Sequence, residues 1–417
     1  MRVARGSLWM RRGFLAIVLL GAAFIPGRAV TAARDSCAGR PCARAGRILW
    51  AEPLPGDWRA AAGELGTVPS SGQAYAAAGD GVAAVGDGTA VTAYSLASGR
   101  RLWTAQLAGY PAGSAIVSVR AWPGVVTAGL MEPATGAGAG SRTEIVLSAR
   151  SGSTLRAYPA AAYGGAVAAD AARSVIVGTT AVTGYDNSTG RVLWSRDTGG
   201  VAQAWRLDGD DLFVTVSAGG YLGASPVTAL RRIDVQTGAE QIVVPAAKAF
   251  AGSFSGAVGG VVLFSGAAGL SGYSGTSGRL LWQHPGVVPE MVDQARQTLY
   301  VASGNALTGI NPVTGVAITR ASALGSGLYA IRSGNALGLN EGGLGEAWGY
   351  SLASRTVIWT ATPLPWPHFF VDLSGVGGSA DPDNSTVILA ACAKVGPAAA
   401  GQSGPRCLRP ELVAIGR

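Results

Sequence analysis

Lysine is nearly absent from this 417-residue chain: Lys248 and Lys394 stand alone among 32 basic residues. Histidine is as scarce, with only His284 and His368, and neither has a partner at metal-ligand spacing. Charged residues make up only 13% of the chain. The chain also lacks a Gly-x-Ser-x-Gly nucleophile elbow, a Gly-x-Gly-x-x-Gly fingerprint and a phosphate loop. These absences remove the hydrolase triad, the dinucleotide fold and the nucleotide hydrolase from consideration. Basic excess is weak as well. The formal +8 includes Arg2, Arg5, Arg11, Arg12 and Arg28, which lie in the first 32 residues where no acid occurs, leaving 27 basic against 24 acidic groups beyond them. So small a surplus excludes a nucleic-acid partner. What is abundant is apolar residue (48%), glycine (63) and proline (21), the composition of an all-β chain with many turns.

The acid-free N-terminus reads as an export signal. Arg11-Arg12 precede the apolar run Phe14 to Ile25, followed by Pro26-Gly27 and the small residues Val30-Thr31-Ala32, with cleavage expected after Ala32. Arg11-Arg12-Gly13-Phe14-Leu15 fits a twin-arginine signal and an ordinary secretory one alike. An uncleaved segment is the alternative, and would be the chain's one contact with a membrane. The expected organisation is residues 1–32 as signal, 33–45 as a short linker and 46–417 as the folded domain. Four cysteines suit an oxidising compartment. The simplest pairing joins Cys37 to Cys42 and Cys392 to Cys407, although four cysteines allow three connectivities. Arg34-Asp35-Ser36 before Cys37 is not a lipoprotein cleavage box.

A short string recurs downstream. Ser188-Thr189-Gly190-Arg191-Val192-Leu193-Trp194 has near copies ending at Trp103 and Trp282 and a fainter one at Ser354 to Trp359. Aligned on their turns, Gly46, Gly99, Gly152, Gly190, Gly238, Gly278, Gly315 and Ser354 recur at intervals of 37 to 53 residues. Such spacing describes the blades of a propeller. Each unit reads as an inner strand, a continuous apolar second strand, an alternating third strand, the glycine turn and an outer strand. Glycine admits the positive φ of a tight turn, and the apolar pair and tryptophan after it are expected to face inward. Trp50, Trp103, Trp194, Trp282 and Trp359 are thus expected to pack blade against blade. The end segments complement each other: Pro410 to Ile415 looks like a third strand lacking a fourth, and Gly46 to Trp50 like a fourth lacking a third. The expected fold is an all-β, eight-bladed propeller of four-stranded antiparallel blades, its ring closed by the N-terminal outer strand pairing with the C-terminal blade.

Gly184 to Trp194, with weaker copies at Arg232 to Gly238 and Gly309 to Gly315, resembles the repeat of pyrroloquinoline-quinone (PQQ) type propellers. Across residues 46–417 the chain is similar to the BamB-like family, and that resemblance implies a binding scaffold without a cofactor. The quinoprotein dehydrogenases of the same class are the competing reading, as is a small-ligand sensor using the central funnel. Those dehydrogenases carry calcium ligands and adjacent cysteines, and no two cysteines here are adjacent. Asp208-Gly209-Asp210-Asp211 and Asp381-Pro382-Asp383-Asn384 are the acidic stretches able to recruit calcium, and both read as turns.

No catalytic, cofactor or metal residue is therefore expected. The expected activity is capture of an extracytoplasmic protein, at the cell surface or secreted. The longer inserts, residues 55–72, 131–142, 361–384 and 395–406, are the candidate contact loops. Among them Pro363 to Phe370 is the most aromatic, and Trp366, Phe369 and Phe370 form its candidate interaction patch, with packing of the last blade as the alternative.

Overall fold

Short runs of valine, isoleucine, leucine and alanine, each bounded by a glycine turn, pair with their sequence neighbours to build the domain. In the computed structural model the described residues are 44–45, 47–54, 75–79, 81–133, 141–160, 164–217, 227, 229–244, 252–293, 296–303, 306–322, 328–332, 335–340, 346–361, 368–370, 380–381, 386–396 and 406–416. The chain divides into Met1–Cys42 and Ala43–Arg417. The first unit, with the expected signal and Cys37 and Cys42, lies outside the described residues.

Blade three shows the plan. Gly165–Ala169, Arg173–Val177, Ala181–Asp186 and Val192–Asp197 pair in that order as an antiparallel meander. Its second strand is sandwiched between neighbouring blades, so Val175, Ile176 and Val177 are all buried. Full burial of such side chains stabilises by about 1.5–3 kcal/mol each. Six further sheets repeat this four-strand order, within residues 75–106, 115–160, 201–244, 253–284, 288–322 and 328–361. In blades two to seven the pairing of first and second strands is interrupted by a bulge, as between Ile116 and Ser118 and between Ala202 and Ala204. Bulges re-aim the side chains that follow them.

The structure thus shows seven complete blades, not the eight expected. Gly46, one of the eight turns counted from the sequence, lies outside the described residues, and the strand after it belongs to a differently made sheet. Arg47–Pro53 pairs with the 11-residue strand Arg406–Gly416, which pairs with Thr386–Gly396, which pairs in turn with the three residues His368–Phe370. A turn motif marks a third-to-fourth strand junction only where the two strands are consecutive, and here they come from opposite ends of the chain. Just upstream, Arg44–Ala45 adds a parallel strand to the edge of blade seven.

Cys392 and Cys407 fall on neighbouring strands of this composite sheet, opposite Pro410 and Val395 respectively. The side chains of both cysteines lie outside the described residues.

Candidate functional site

The repeated string resolves into three linked devices. Its glycine holds positive φ in every clear copy: +70° at Gly99, +76° at Gly190, +68° at Gly238, +65° at Gly278 and +71° at Gly315. In the faint copy this backbone position belongs to Arg355 (φ +58°) and not to Ser354. The turn is braced from the start by a side chain: Asp186 Oδ1 accepts from the Ser188 and Thr189 amides, and Asp234 and Asn311 repeat the pattern. Those bonds, led by the Ser188 hydroxyl, hold the Asp186 carboxyl down at about 2.

The second device is a bulge immediately before the tryptophan. Tyr185 pairs with Val192 and Gly184 with Trp194, so Leu193 is the extra residue. Leu102, Leu281 and Ile358 are skipped in the same way. The bulge turns the indole into the interface between blades. On the third strand the residue opposite must then be small: Ala93, Gly184, Gly272 and Gly349 face Trp103, Trp194, Trp282 and Trp359. A Cβ at Gly184 would lie 2.5 Å from the Trp194 ring. Sequence reading passed over this position, although its signal is legible as a Gly or Ala before an aromatic: Thr-Ala-Tyr, Thr-Gly-Tyr, Ser-Gly-Tyr and Trp-Gly-Tyr.

The third device joins blades. Trp103 lies across Gly152 of the next blade, Trp194 across Gly238 and Trp282 across Gly315, while Trp50 of the composite sheet lies across Gly99 of blade one. The indole N–H donates to the carbonyl three residues ahead of that glycine: Trp50 to Leu96 (2.8 Å), Trp103 to Ala149 (2.8 Å) and Trp282 to Pro312 (2.6 Å). All five tryptophans are buried, Trp359 completely. In blade two Arg156 occupies the tryptophan's position, its Nε 3.2 Å from where a Gly190 Cβ would stand. Two residues further along, Arg196 and His284 bond the carbonyls of Gly238 and Gly315. His284 is thus engaged in the blade junction. Tyr158 fills the equivalent place in blade two, donating to Asn187 Oδ1 (2.9 Å), and burial pushes its phenol up to about 12.

One expectation is overturned here. The apolar pair before the tryptophan was expected to face inward with it, yet much of it lies open to solvent. Val192 and Leu193 are 50% and 42% exposed, Leu280 47% and Ile318 55%, and Ile242 and Val316 join them at 56% and 62%. The outer strand has no neighbour beyond it, so a bulge that rotates tryptophan inward rotates its predecessors outward. The result is a set of aliphatic side chains on the outer strands of four successive blades, three to six.

The other candidates separate. Asp208 accepts from the Gly260 amide (2.7 Å), Asp210 from Gln236 (3.0 Å) and Asp211 pairs with Arg232 (2.6 Å), so each carboxylate of that stretch serves a protein contact. Among the described residues no three His, Cys, Asp or Glu side chains gather as a metal site. Trp366, Asp383 and Asn384 lie outside the described residues. Phe369 and Phe370 run opposite Ala391 and Ala390 in the composite sheet.

This arrangement defines a β-propeller of four-stranded antiparallel blades keyed by PQQ-type repeats. The family described as outer membrane protein assembly factor BamB matches residues 43–195 and 141–361, and the chain belongs to that family. No curated protein matches it. Among solved structures, the C-terminal WD40 domain of Sif2 is similar at 8% identity, over 89% of this chain and 98% of that one, with a TM-score of 0.50. BamB from Moraxella catarrhalis aligns at 16% identity, over 74% and 95%, with a TM-score of 0.38. The dihydro-heme d1 dehydrogenase NirN aligns at 12% identity, over 70% and 66%, with a TM-score of 0.47.

Proposed function

We propose that this protein is an exported, non-catalytic scaffold that captures another extracytoplasmic protein on the outer strands of its blades. The observation that carries the reading is the recurrence of exposed aliphatics on four successive outer strands, from Val192 to Ile318. Recurrent exposed apolar groups mark interaction surfaces where a monomer would otherwise carry polar residues. Unpaired edge strands also offer backbone groups to an added strand. Membership of the BamB family supports the same reading. The composite sheet is proposed to act as the eighth blade and close the ring. Trp50 engages Gly99 as the other tryptophans engage their neighbours, and Leu412 and Ala414 pack with Ala83, Val85 and Tyr94 of blade one.

The test places a photo-crosslinking residue at Ile318 in the full chain produced in its native host. Recovery of one exported protein as a discrete adduct, lost in an Ile242→Asp variant that keeps its melting temperature, supports the scaffold. Labelling of bulk protein in proportion to abundance overturns it. Titration with PQQ and calcium, followed by dye-linked oxidation of alcohols and sugars, tests the absence of catalysis, and turnover would refute that absence.

A further inference from the structure

Charge is unevenly spread over the third-to-fourth strand turns. In blades three and four the turn begins with a carboxylate, Asp186 and Asp234, and Glu240 follows the second of them. In blades seven, one and two serine holds that place, as Ser351, Ser95 and Ser148. The arginines remain. Arg355, Arg100, Arg101 and Arg150 lie in or beside these three turns, and Arg47 opens the outer strand of the composite sheet. All five are exposed. Packing contacts set them side by side. Trp50 of the composite sheet donates to the Leu96 carbonyl (2.8 Å) and lies across Gly99, the residue before Arg100. Trp103 repeats this at Ala149 (2.8 Å) and Gly152, which bracket Arg150. Arg44–Ala45, just upstream of Arg47, pairs with the outer strand of blade seven. Because each blade repeats one antiparallel four-strand order, these turns fall at the same end of their sheets.

Among the described residues none of the five forms an ion pair. The described acids of these sheets are engaged or distant. Glu144 is paired with Arg142 and Glu411 with Arg409, and Glu52 is half-buried. Asp87, Glu132 and Glu346 stand at second-to-third turns, the opposite end of their blades. Asp381 stands three strands in from Arg47, about 14 Å away. Two exposed aliphatics accompany the charges: Ile48 directly follows Arg47, and Leu102 directly follows Arg101, 40% and 38% exposed. Arginine beside an exposed aliphatic suits an apolar layer faced with phosphate. Guanidinium forks take the phosphate oxygens, and aliphatic tips enter the boundary beneath the headgroups. The course of the chain points the same way. The apolar run Phe14 to Ile25 ends 18 residues before the strand Arg44–Ala45, so whatever is retained of the N-terminal segment joins the domain in this sector.

We propose that the turn end of blades seven, one and two and of the composite sheet docks on an anionic phospholipid membrane, with Arg47, Arg100, Arg101, Arg150 and Arg355 on headgroup phosphates and Ile48 and Leu102 entering the boundary. The aliphatics of the scaffold surface belong to blades three to six, so neither reading depends on the other.

Co-sedimentation of the chain, as its native host exports it, with vesicles of phosphatidylglycerol and phosphatidylcholine in equal parts tests this docking. Pure phosphatidylcholine vesicles and soluble polyphosphate are the comparison arms. The expected result is saturable binding to the anionic vesicles that weakens as salt rises, with nothing comparable in either other arm. Arg100→Gln combined with Arg101→Gln should weaken that binding at least about tenfold, the loss expected for two charges at an anionic surface, and leave the melting temperature in place. Arg150→Gln combined with Arg355→Gln gives a second reading of the same loss. Arg279→Gln combined with Arg320→Gln, which removes the same charge from blades five and six, should leave binding unchanged. Equal binding to neutral vesicles, or equal losses in all three double variants, would overturn the proposal. Polyphosphate bound as tightly as the anionic vesicles would overturn it too, and assign the arginines to a soluble anionic polymer.

Discussion

Each turn glycine meets two demands at once. Gly315 needs positive φ, and a Cβ there would lie 2.6 Å from Trp282 Cγ. Gly315→Ala should therefore cost about 2–4 kcal/mol, combining left-handed strain with overpacking, as read by denaturant unfolding. Tryptophans that look alike in sequence should respond differently. Trp103 donates a buried hydrogen bond, whereas the indole N–H of Trp359 has no partner among the described residues. Trp103→Phe should cost about 1 kcal/mol more than Trp359→Phe, and equal losses would mean that the bond contributes nothing. Asp186 makes a pH prediction. Its carboxyl is depressed from 3.8 to about 2, so its contribution is fully present above the unfolded value and is lost as pH falls toward 2. The melting-temperature gap between wild type and Asp186→Ala should be widest above pH 4 and narrow steadily below it.

At the scale of the element, the outer strand carries both the glue and the candidate surface. A single bulge residue decides which side chains go inward. Straightening it by deleting Leu193 should bury the wrong residue, expose Trp194 and raise both indole fluorescence quenching by acrylamide and the rate of local proteolysis. The aliphatic positions behave in the opposite way: Ile242→Asp or Ile318→Asp should change stability by no more than about 0.5 kcal/mol while abolishing partner capture. If either substitution unfolds the protein, those side chains belong to the core. Sequence alone could not separate the two kinds of apolar residue, because a bulge leaves no letter of its own and period-two reading assigns its neighbours to the wrong face.

For the whole molecule, the two chain ends meet in one sheet, and Trp50 carries that sheet onto blade one. Deleting residues 44–53 should strip the strand paired with Arg406–Gly416 and lower the melting temperature by far more than loss of a surface segment would, since Trp50 and its packing on blade one are lost. Retention of full stability would overturn the proposal that this sheet closes the ring. Peptide mapping of the oxidised protein will decide the cysteines, with a Cys392–Cys407 peptide as the expected product and its absence as the outcome that removes that pairing.

The amino-acid order alone determined the all-β class, the blade length, the glycine turns and the recurring tryptophans, because each is dictated by a local period or a backbone φ that few residues allow. It also showed that the chain ends complement each other. Only the tertiary structure decided that seven blades are complete and the eighth sheet is composite, since a turn motif says nothing about which distant strand arrives beside it. Pairing register likewise decided that the apolar pair faces out.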